Sequence, residues 1–357
     1  MDKKTNINRR AFLSTGITAA ASIAVGNTLA SGSELNSGSG MIKKRDENPL
    51  NPRTSVAMPT NSLGKTGYKV GIFSLGGQAT LEMANTEDES EKIVNRAIDL
   101  GINYIDTAAA YGGGISQRNI GRVLKTRRKE VFLASKTHDK TYDGSMRLLE
   151  ESLKSLNTDH LDTWQLHNIQ TQAQVDEIFS ANGAIKALEK AKSEGIVRFL
   201  GITGHFEPLV LLRAIRRYKF DSILMTLNAA DIHYLSFKNY LLPEALEQGI
   251  AIIGMKVTTR SRMLSTWAPP PLEAQKDARN RTGRPGTITI KEALEYNMTL
   301  PVSTTIIGVD NVKQVEENVK IASEFSPLGE MAMKEIELKT LPIVRQGLYF
   351  RRWDLGA

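Results

Sequence analysis

The sequence predicts an α/β protein of one domain, a (β/α)8 or TIM barrel over residues 61–326, with a leader before it and an extension after it. Three observations carry this. Short apolar runs alternate eight times with stretches of helical periodicity, no two strand-like runs are adjacent, and ionisable residues stand at the ends of three successive runs. Strict alternation favours a closed parallel barrel over an open sheet, and a barrel gathers its chemistry where its strands end.

The elements follow in order. Gly71–Leu75 is the first strand, and a helix over Glu89–Leu100 follows with Ile93, Val94, Ala97 and Ile98 on one face. Gly101 stops that helix, and Tyr104-Ile105-Asp106 opens the second unit. The third strand is Val131–Ala134, and its helix over Ser145–Leu156 sets Met146, Leu149, Leu153 and Leu156 on one side. The remaining strands are Leu161–Leu166, Val197–Ile202, Ser222–Leu227, Ile250–Ile253 and Thr304–Ile307. Helices are expected at Ala184–Glu194, Pro208–Arg217, Tyr240–Glu247, Ile290–Tyr296 and Val312–Ala322. The stretch Lys256–Thr289, with Pro269-Pro270-Pro271, is too long for a plain connection and is expected either to cover the active site or to be disordered. Residues 327–357 form a C-terminal extension, read as a helix and a strap.

Composition excludes several functions. With no cysteine among 357 residues, there is no disulfide, thiolate zinc site, iron–sulfur cluster or thiol nucleophile. The net charge of +7 is dispersed, and its densest run, Arg127-Arg128-Lys129, has no interleaved aromatics, so no nucleic-acid partner is expected.

Residues 1–30 read as an address. Arg9-Arg10 stands directly before an uncharged stretch, Ala11–Ala30, that is too weakly apolar for stable membrane insertion and ends in Thr28-Leu29-Ala30 before Ser31. This is a twin-arginine (Tat) signal peptide, with the Tat export machinery as partner and a location outside the cytoplasmic membrane, the periplasm, as the expectation. Its removal lowers the net charge to +4. Residues 31–60, rich in Ser, Gly, Asn and Pro, read as a flexible linker, and a monomer is expected.

Asp106 ends the second strand with Tyr111 in the loop behind it, Lys136 follows the third strand, and His167 follows the fourth. Alone, each has a bland reading: a cap, an exposed cation, a packing histidine. Together they put a polar centre in the mouth of an apolar barrel. A tyrosine, with an ordinary pKa of ~10, is a weak acid that an adjacent ammonium strengthens. Asp106 would hold that ammonium, and a neutral His167 would orient a carbonyl oxygen.

Gly101-Ile102-Asn103-Tyr104-Ile105-Asp106-Thr107-Ala108 with Tyr111, Leu133-Ala134-Ser135-Lys136 and Leu156-Asn157-Thr158-Asp159 through His167 resemble the signature segments of the aldo-keto reductases. Leu63-Gly64-Lys65-Thr66-Gly67 resembles that family's N-terminal hairpin, Gly195–Thr203 its fifth-strand motif, and Gly308 with Glu317-Asn318 its cofactor-binding eighth unit. The resemblance spans about residues 61–325. It implies a tetrad of Asp106, Tyr111, Lys136 and His167, interconversion of a carbonyl (aldehyde, ketone or keto-sugar) and an alcohol, a nicotinamide cofactor (NADP before NAD), and no metal. The cofactor cradle departs from the family pattern. Thr203-Gly204 replaces its Ser-Asn, Ala229 after Asn228 replaces its glutamine, and Met255 beside Lys256 replaces its stacking tyrosine. Asn311 and Gln314 stand where bases commonly meet a 2′-phosphate, and Gly308 and Asn318 complete the expected cofactor set. Two rivals remain: a nicotinamide-binding redox sensor without turnover, and a glycoside hydrolase, which needs a second carboxylate beside Asp106.

Overall fold

The computed structural model of the chain describes residues 49–265 and 285–353. The twin-arginine segment, the linker as far as residue 48, residues 266–284 of the expected cover and the last four residues lie outside the described residues.

A hairpin of β1 (Thr60–Ser62) and β2 (Lys69–Gly71) precedes eight parallel strands. These are β3 (Phe73–Gly76), β4 (Tyr104–Asp106), β5 (Phe132–Thr137), β6 (Leu161–Leu166), β7 (Val197–Gly204), β8 (Ser222–Thr226), β9 (Ala251–Met255) and β10 (Thr304–Ile307). They pair in chain order and close when β10 pairs with β3, Thr305 opposite Phe73. The expected (β/α)8 barrel is the fold. The helices are α1 (Thr54–Ala57), α2 (Glu87–Asp99), α3 (Ile115–Arg127), α4 (Tyr142–Ser155), α5 (Gln172–Ile178), α6 (Ala184–Ser193) and α7 (Pro208–Arg217), then α8 (Phe237–Tyr240), α9 (Leu242–Glu247), α10 (Ile290–Thr299), α11 (Val312–Ser323), α12 (Glu330–Thr340) and α13 (Val344–Gly347). Among the described residues no helix is long and apolar enough to cross a membrane.

The N-terminal end of the barrel is plugged. Leu63, Tyr68 and Val70 of the hairpin pack with Tyr104, Phe132, Leu224, Ile253 and Ile306 inside it. Tyr68 lies 5.0 Å from the Phe132 ring, which stacks on Tyr104 at 5.4 Å. The Tyr68 hydroxyl donates to Asn103 O at 2.9 Å, so the plug is tied as well as packed. Such a packed interior leaves the opposite, C-terminal face as the place for chemistry.

Four expectations change. The first strand is broken: Gly71 belongs to the hairpin, Ile72 donates its N–H to Pro59 O, and the barrel strand begins at Phe73. The third strand runs on to Thr137 because pairing with β6 continues to Thr137 opposite Leu166, which puts Lys136 inside the strand. The helix expected at Tyr240–Glu247 is two short helices, with Pro243 in the first turn of the second. Residues 49–60, expected as the end of the flexible linker, are folded: buried Asn51 donates to Ile98 O and Ile102 O, and the Leu50 N–H reaches Lys129 O.

Helix α3 escapes the sequence pattern because its buried face mixes Ser116, Gln117 and Asn119 with Ile120, Val123 and Leu124. Gln117 donates to Ser135 Oγ and Ser152 Oγ at 2.7 and 2.8 Å, and a Cβ on Gly121 would stand 2.1 Å from Ser155 O. Hydrogen bonds and close helix approach seat it together with the buried Ile120, Val123 and Leu124. The C-terminal extension docks through Glu337 of α12, which accepts from Tyr296 Oη at 2.7 Å and Lys238 Nζ at 2.6 Å. Beyond α13 the chain returns across the barrel mouth. Arg351, fully buried, pairs with Asp231 and lies 4.2 Å over Phe237, while Trp353 stacks on Tyr234 at 4.1 Å.

Candidate active site

The site is built from three neighbouring strands. Asp106 ends β4 and Lys136 lies near the end of β5, each side chain 1% exposed. Lys136 Nζ donates to Asp106 Oδ1, to Thr107 O at 2.8 Å and to Tyr111 Oη at 3.3 Å. All three ammonium donors are therefore used, and the third aims the charge at the phenol. Gln165, two residues before His167 and on the same face of β6, donates to Asp106 Oδ2 at 3.0 Å. Both carboxylate oxygens thus have a partner. A buried charge costs several kcal/mol unless paired and bonded in this way.

Tyr111 is placed by its loop. Its N–H bonds Ala108 O at 3.1 Å, and Gly112, Gly113 and Gly114 follow with φ of 57°, 60° and 85°. Gly112 is required sterically, because a Cβ there would meet Glu82 O at 2.1 Å. His167 leaves β6 with its N–H on Thr137 O at 2.8 Å and sets its ring edge-on to Tyr111, centroids 5.6 Å apart.

The electrostatics suit proton transfer from a neutral phenol. Burial raises the Tyr111 pKa above its ordinary value while Lys136 pulls it down. Burial opposes charge on Lys136 too, but Asp106 and then Tyr111 outweigh it and hold the ammonium above its ordinary range. Burial, then Lys136, His205 and Lys140, depress His167 well below the usual imidazole value, so it is neutral at physiological pH.

A cleft of about 580 Å³ opens from Asp106 and Tyr111, within the range of cofactor sites. Gly76 at the end of β3 with Gly77 and Gln78 beyond it, Met255 at the end of β9 with the loop to Ser261, and Gly308, Asp310, Gln314, Glu317 and Asn318 after β10 line it. A nicotinamide dinucleotide fits this lining. A Cβ on Gly77 would stand 2.7 Å from Asp106 O and one on Gly308 2.8 Å from Gln78 O, so these glycines let the backbone segments beside the cleft pack closely. Thr259 Oγ1, in the wall, is buried and has no hydrogen-bond partner among the described residues. Gly308 can admit the backbone close to the ligand, Lys256 supplies charge, and Gln314 and Asn318 supply amides.

The structure thus brings Asp106, Tyr111, Lys136 and His167 together, and puts Met255, Lys256, Gly308, Gln314 and Asn318 on the cleft. It does not bring Thr203, Asn228 or Asn311 to that lining. Thr203 is buried, its hydroxyl accepting the Asn168 N–H at 2.8 Å. Asn228 braces the loop after β9 by donating to Lys256 O at 3.0 Å. Asn311 caps α11 by accepting the Gln314 N–H at 3.1 Å.

Sequence reading missed Gln165, although its parity with His167 was the signal. It also missed Gln78, Glu82 and Arg260, which cross the cleft: Lys256 Nζ donates to Gln78 Oε1 at 3.1 Å, and Arg260 lies 3.4 Å from Glu82. His205, just beyond β7, meets Phe350 of the C-terminal strap edge-on at 5.2 Å. No local pattern in the chain announces a contact across so many residues.

The aldo/keto reductase family model matches residues 69–340, and the chain belongs to that family. It is an NAD(P)-dependent oxidoreductase of carbonyl and alcohol groups. L-galactose dehydrogenase of Arabidopsis thaliana is 30% identical over 312 residues, covering 79% of this chain and 94% of that protein. Two solved structures share the fold. An aldo-keto reductase from Bacillus halodurans in its holo form has TM-score 0.63 and 24% identity, covering 79% of this chain and 96% of its own. One from Klebsiella pneumoniae in complex with NADPH has TM-score 0.60 and 19% identity, covering 79% and 95%.

Proposed function

We propose that the protein interconverts a hydroxylated carbonyl compound of the sugar class and its alcohol, with Tyr111 as general acid and base. The observation that carries this is the Lys136 ammonium, held by Asp106 and aimed at the Tyr111 hydroxyl at 3.3 Å. The bound nicotinamide supplies or accepts hydride. The Tyr111 phenol gives its proton to the carbonyl oxygen as negative charge develops there, and takes it back in the oxidative direction. Lys136 makes that donation easier by stabilising the phenolate left behind. Neutral His167 holds the same oxygen by a hydrogen bond. The name of the Arabidopsis relative favours a sugar substrate.

NAD is proposed over NADP, reversing the family-based expectation. The cleft residues beyond β10 are Asp310, Gln314, Glu317 and Asn318, two carboxylates and two amides, which suit ribose hydroxyls better than a further phosphate. Export through the Tat route is also proposed. An exported enzyme would meet no nicotinamide pool, and Lys256, Gly308, Gln314 and Asn318 would then have to hold a nucleotide acquired before export through successive turnovers.

The test is the nucleotide content of the mature protein, purified without added cofactor and then denatured, together with the absorbance of the native protein near the nicotinamide band as aldoses or their oxidised forms are added. Stoichiometric NAD that cycles with substrate supports the reading. A protein that binds no dinucleotide overturns it, and one that exchanges NAD freely removes only retention.

A further inference from the structure

Lys256 is the cleft's unusual charge. It follows β9 in a left-handed backbone conformation, φ 59°, and Thr259, Arg260 and Ser261 repeat that conformation at 50°, 57° and 63°. Four non-glycine residues in this region within six positions is stored strain of the kind that clusters at ligand sites. All four line the cleft. Backbone N–H groups in such turns converge on anions.

Two side chains point to the same ligand chemistry. The Lys256 ammonium meets the neutral Gln78 amide, and among the described residues it has no carboxylate within ion-pair distance. The Thr259 hydroxyl is fully buried and has no hydrogen-bond partner among the described residues. Arg260 differs, since Glu82 lies 3.4 Å from it and guanidinium does not titrate. An unmatched ammonium and an orphaned hydroxyl on one strained loop form a half-site whose missing half is an anion.

We propose that Lys256 is a proton-linked anchor: it takes up a proton as a nucleotide enters, holds the nucleotide's diphosphate together with Thr259, and loosens as pH rises. This rests on the dinucleotide reading above. The charged groups facing Lys256 are Arg260 on its own loop, Glu82 after β3, Asp106 and Lys136 from β4 and β5, and His205 after β7. Burial, then Arg260, lowers the Lys256 pKa to about 8, with Glu82 opposing. A diphosphate favours the charged form, so the pKa is higher in the complex. Affinity is then fully present below the free-state pKa and is lost as pH rises from there towards the bound-state pKa. His205 is depressed well below the ordinary imidazole value, so any linkage it contributes falls in a separate, acidic window.

The experiment is calorimetric titration of the protein with ADP, which carries the diphosphate, and with adenosine, which does not, in buffers of differing ionisation enthalpy. Above about pH 7, where the terminal phosphate of ADP is already ionised, ADP affinity should hold to about pH 8 and then fall by up to about tenfold per pH unit, with proton uptake approaching one. Adenosine binding should be pH-independent. Lys256→Met should weaken ADP to its high-pH level and abolish the slope, whereas Lys256→Arg should keep the affinity and lose the slope. A pH-independent wild type, or a Lys256→Met variant that retains the slope, overturns the proposal. So does a Lys256→Met variant with unchanged ADP affinity and a raised KM for an acidic substrate, which assigns the ammonium to substrate. If neither ADP nor NAD binds at any pH, the dinucleotide reading itself fails, and this inference with it.

Discussion

Replacing Lys136 with methionine keeps the length of the side chain and deletes its charge, which strands the Asp106 carboxyl where it is 1% exposed. Burial already pushes the Asp106 pKa up, and Lys136, then Gln165, pulls it back. Without the ammonium that restraint disappears. Breaking a buried ion pair from one side costs about 3–5 kcal/mol when the remaining charge persists. A carboxyl whose folded-state pKa exceeds its unfolded value of ~3.9 carries no penalty below that value. Above it the penalty grows by about 1.4 kcal/mol per pH unit until the folded-state pKa is passed. Urea unfolding of variant and wild type at about pH 5 and about pH 8 reads this directly, with the larger destabilisation expected at the higher pH. Lys136→Met combined with Asp106→Asn should recover most of the stability, lose the pH dependence and remain inactive. Equal destabilisation at both pH values would refute the claim that Lys136 and Asp106 form a buried ion pair in which each charge depends on the other.

Gly112→Ala should cost more than Gly113→Ala, because its Cβ would meet Glu82 O at 2.1 Å whereas Gly113 faces open space. Left-handed strain alone costs about 1–3 kcal/mol; thermal melts and turnover separate the two, only the first being expected to displace Tyr111. Arg351→Met should leave Asp231 buried and unpaired, destabilising by about 3–5 kcal/mol, and adding Asp231→Asn should restore part of the loss in the same unfolding assay. NADH should bind tighter than NADPH by about tenfold or more, roughly 1.4 kcal/mol, in a fluorescence titration. Replacing Arg9 and Arg10 by lysine should leave the folded protein in the cytoplasm, which fractionation checks.

Legibility in the sequence followed the physics of each element. Helices such as α2 and α7 carry an apolar face at helical spacing, and the eight strands are short apolar runs, so both announce themselves. Helix α3 does not, because Ser116, Gln117 and Asn119 are buried through hydrogen bonds and Gly121 through contact with backbone. The clustering of Asp106, Tyr111, Lys136 and His167 was readable because they stand at or just beyond strand ends, each within a motif. Thr203, Asn228 and Asn311 were placed by alignment to a pattern, and the structure uses them to brace Asn168, Lys256 and α11. Arg260 with Glu82 and His205 with Phe350 depend on loops meeting across the barrel mouth, which residue order alone does not specify.

The central claim is that the Tyr111 hydroxyl carries the proton between enzyme and substrate oxygen. Tyr111→Phe removes that hydroxyl and keeps the ring beside His167. The measurement is the rate of hydride transfer between bound nicotinamide and an aldose or its oxidised form, taken alongside nucleotide affinity. A fall of roughly 10²–10⁴-fold in rate, with nucleotide affinity unchanged, is the predicted result. Hydride transfer at close to the wild-type rate would contradict the account.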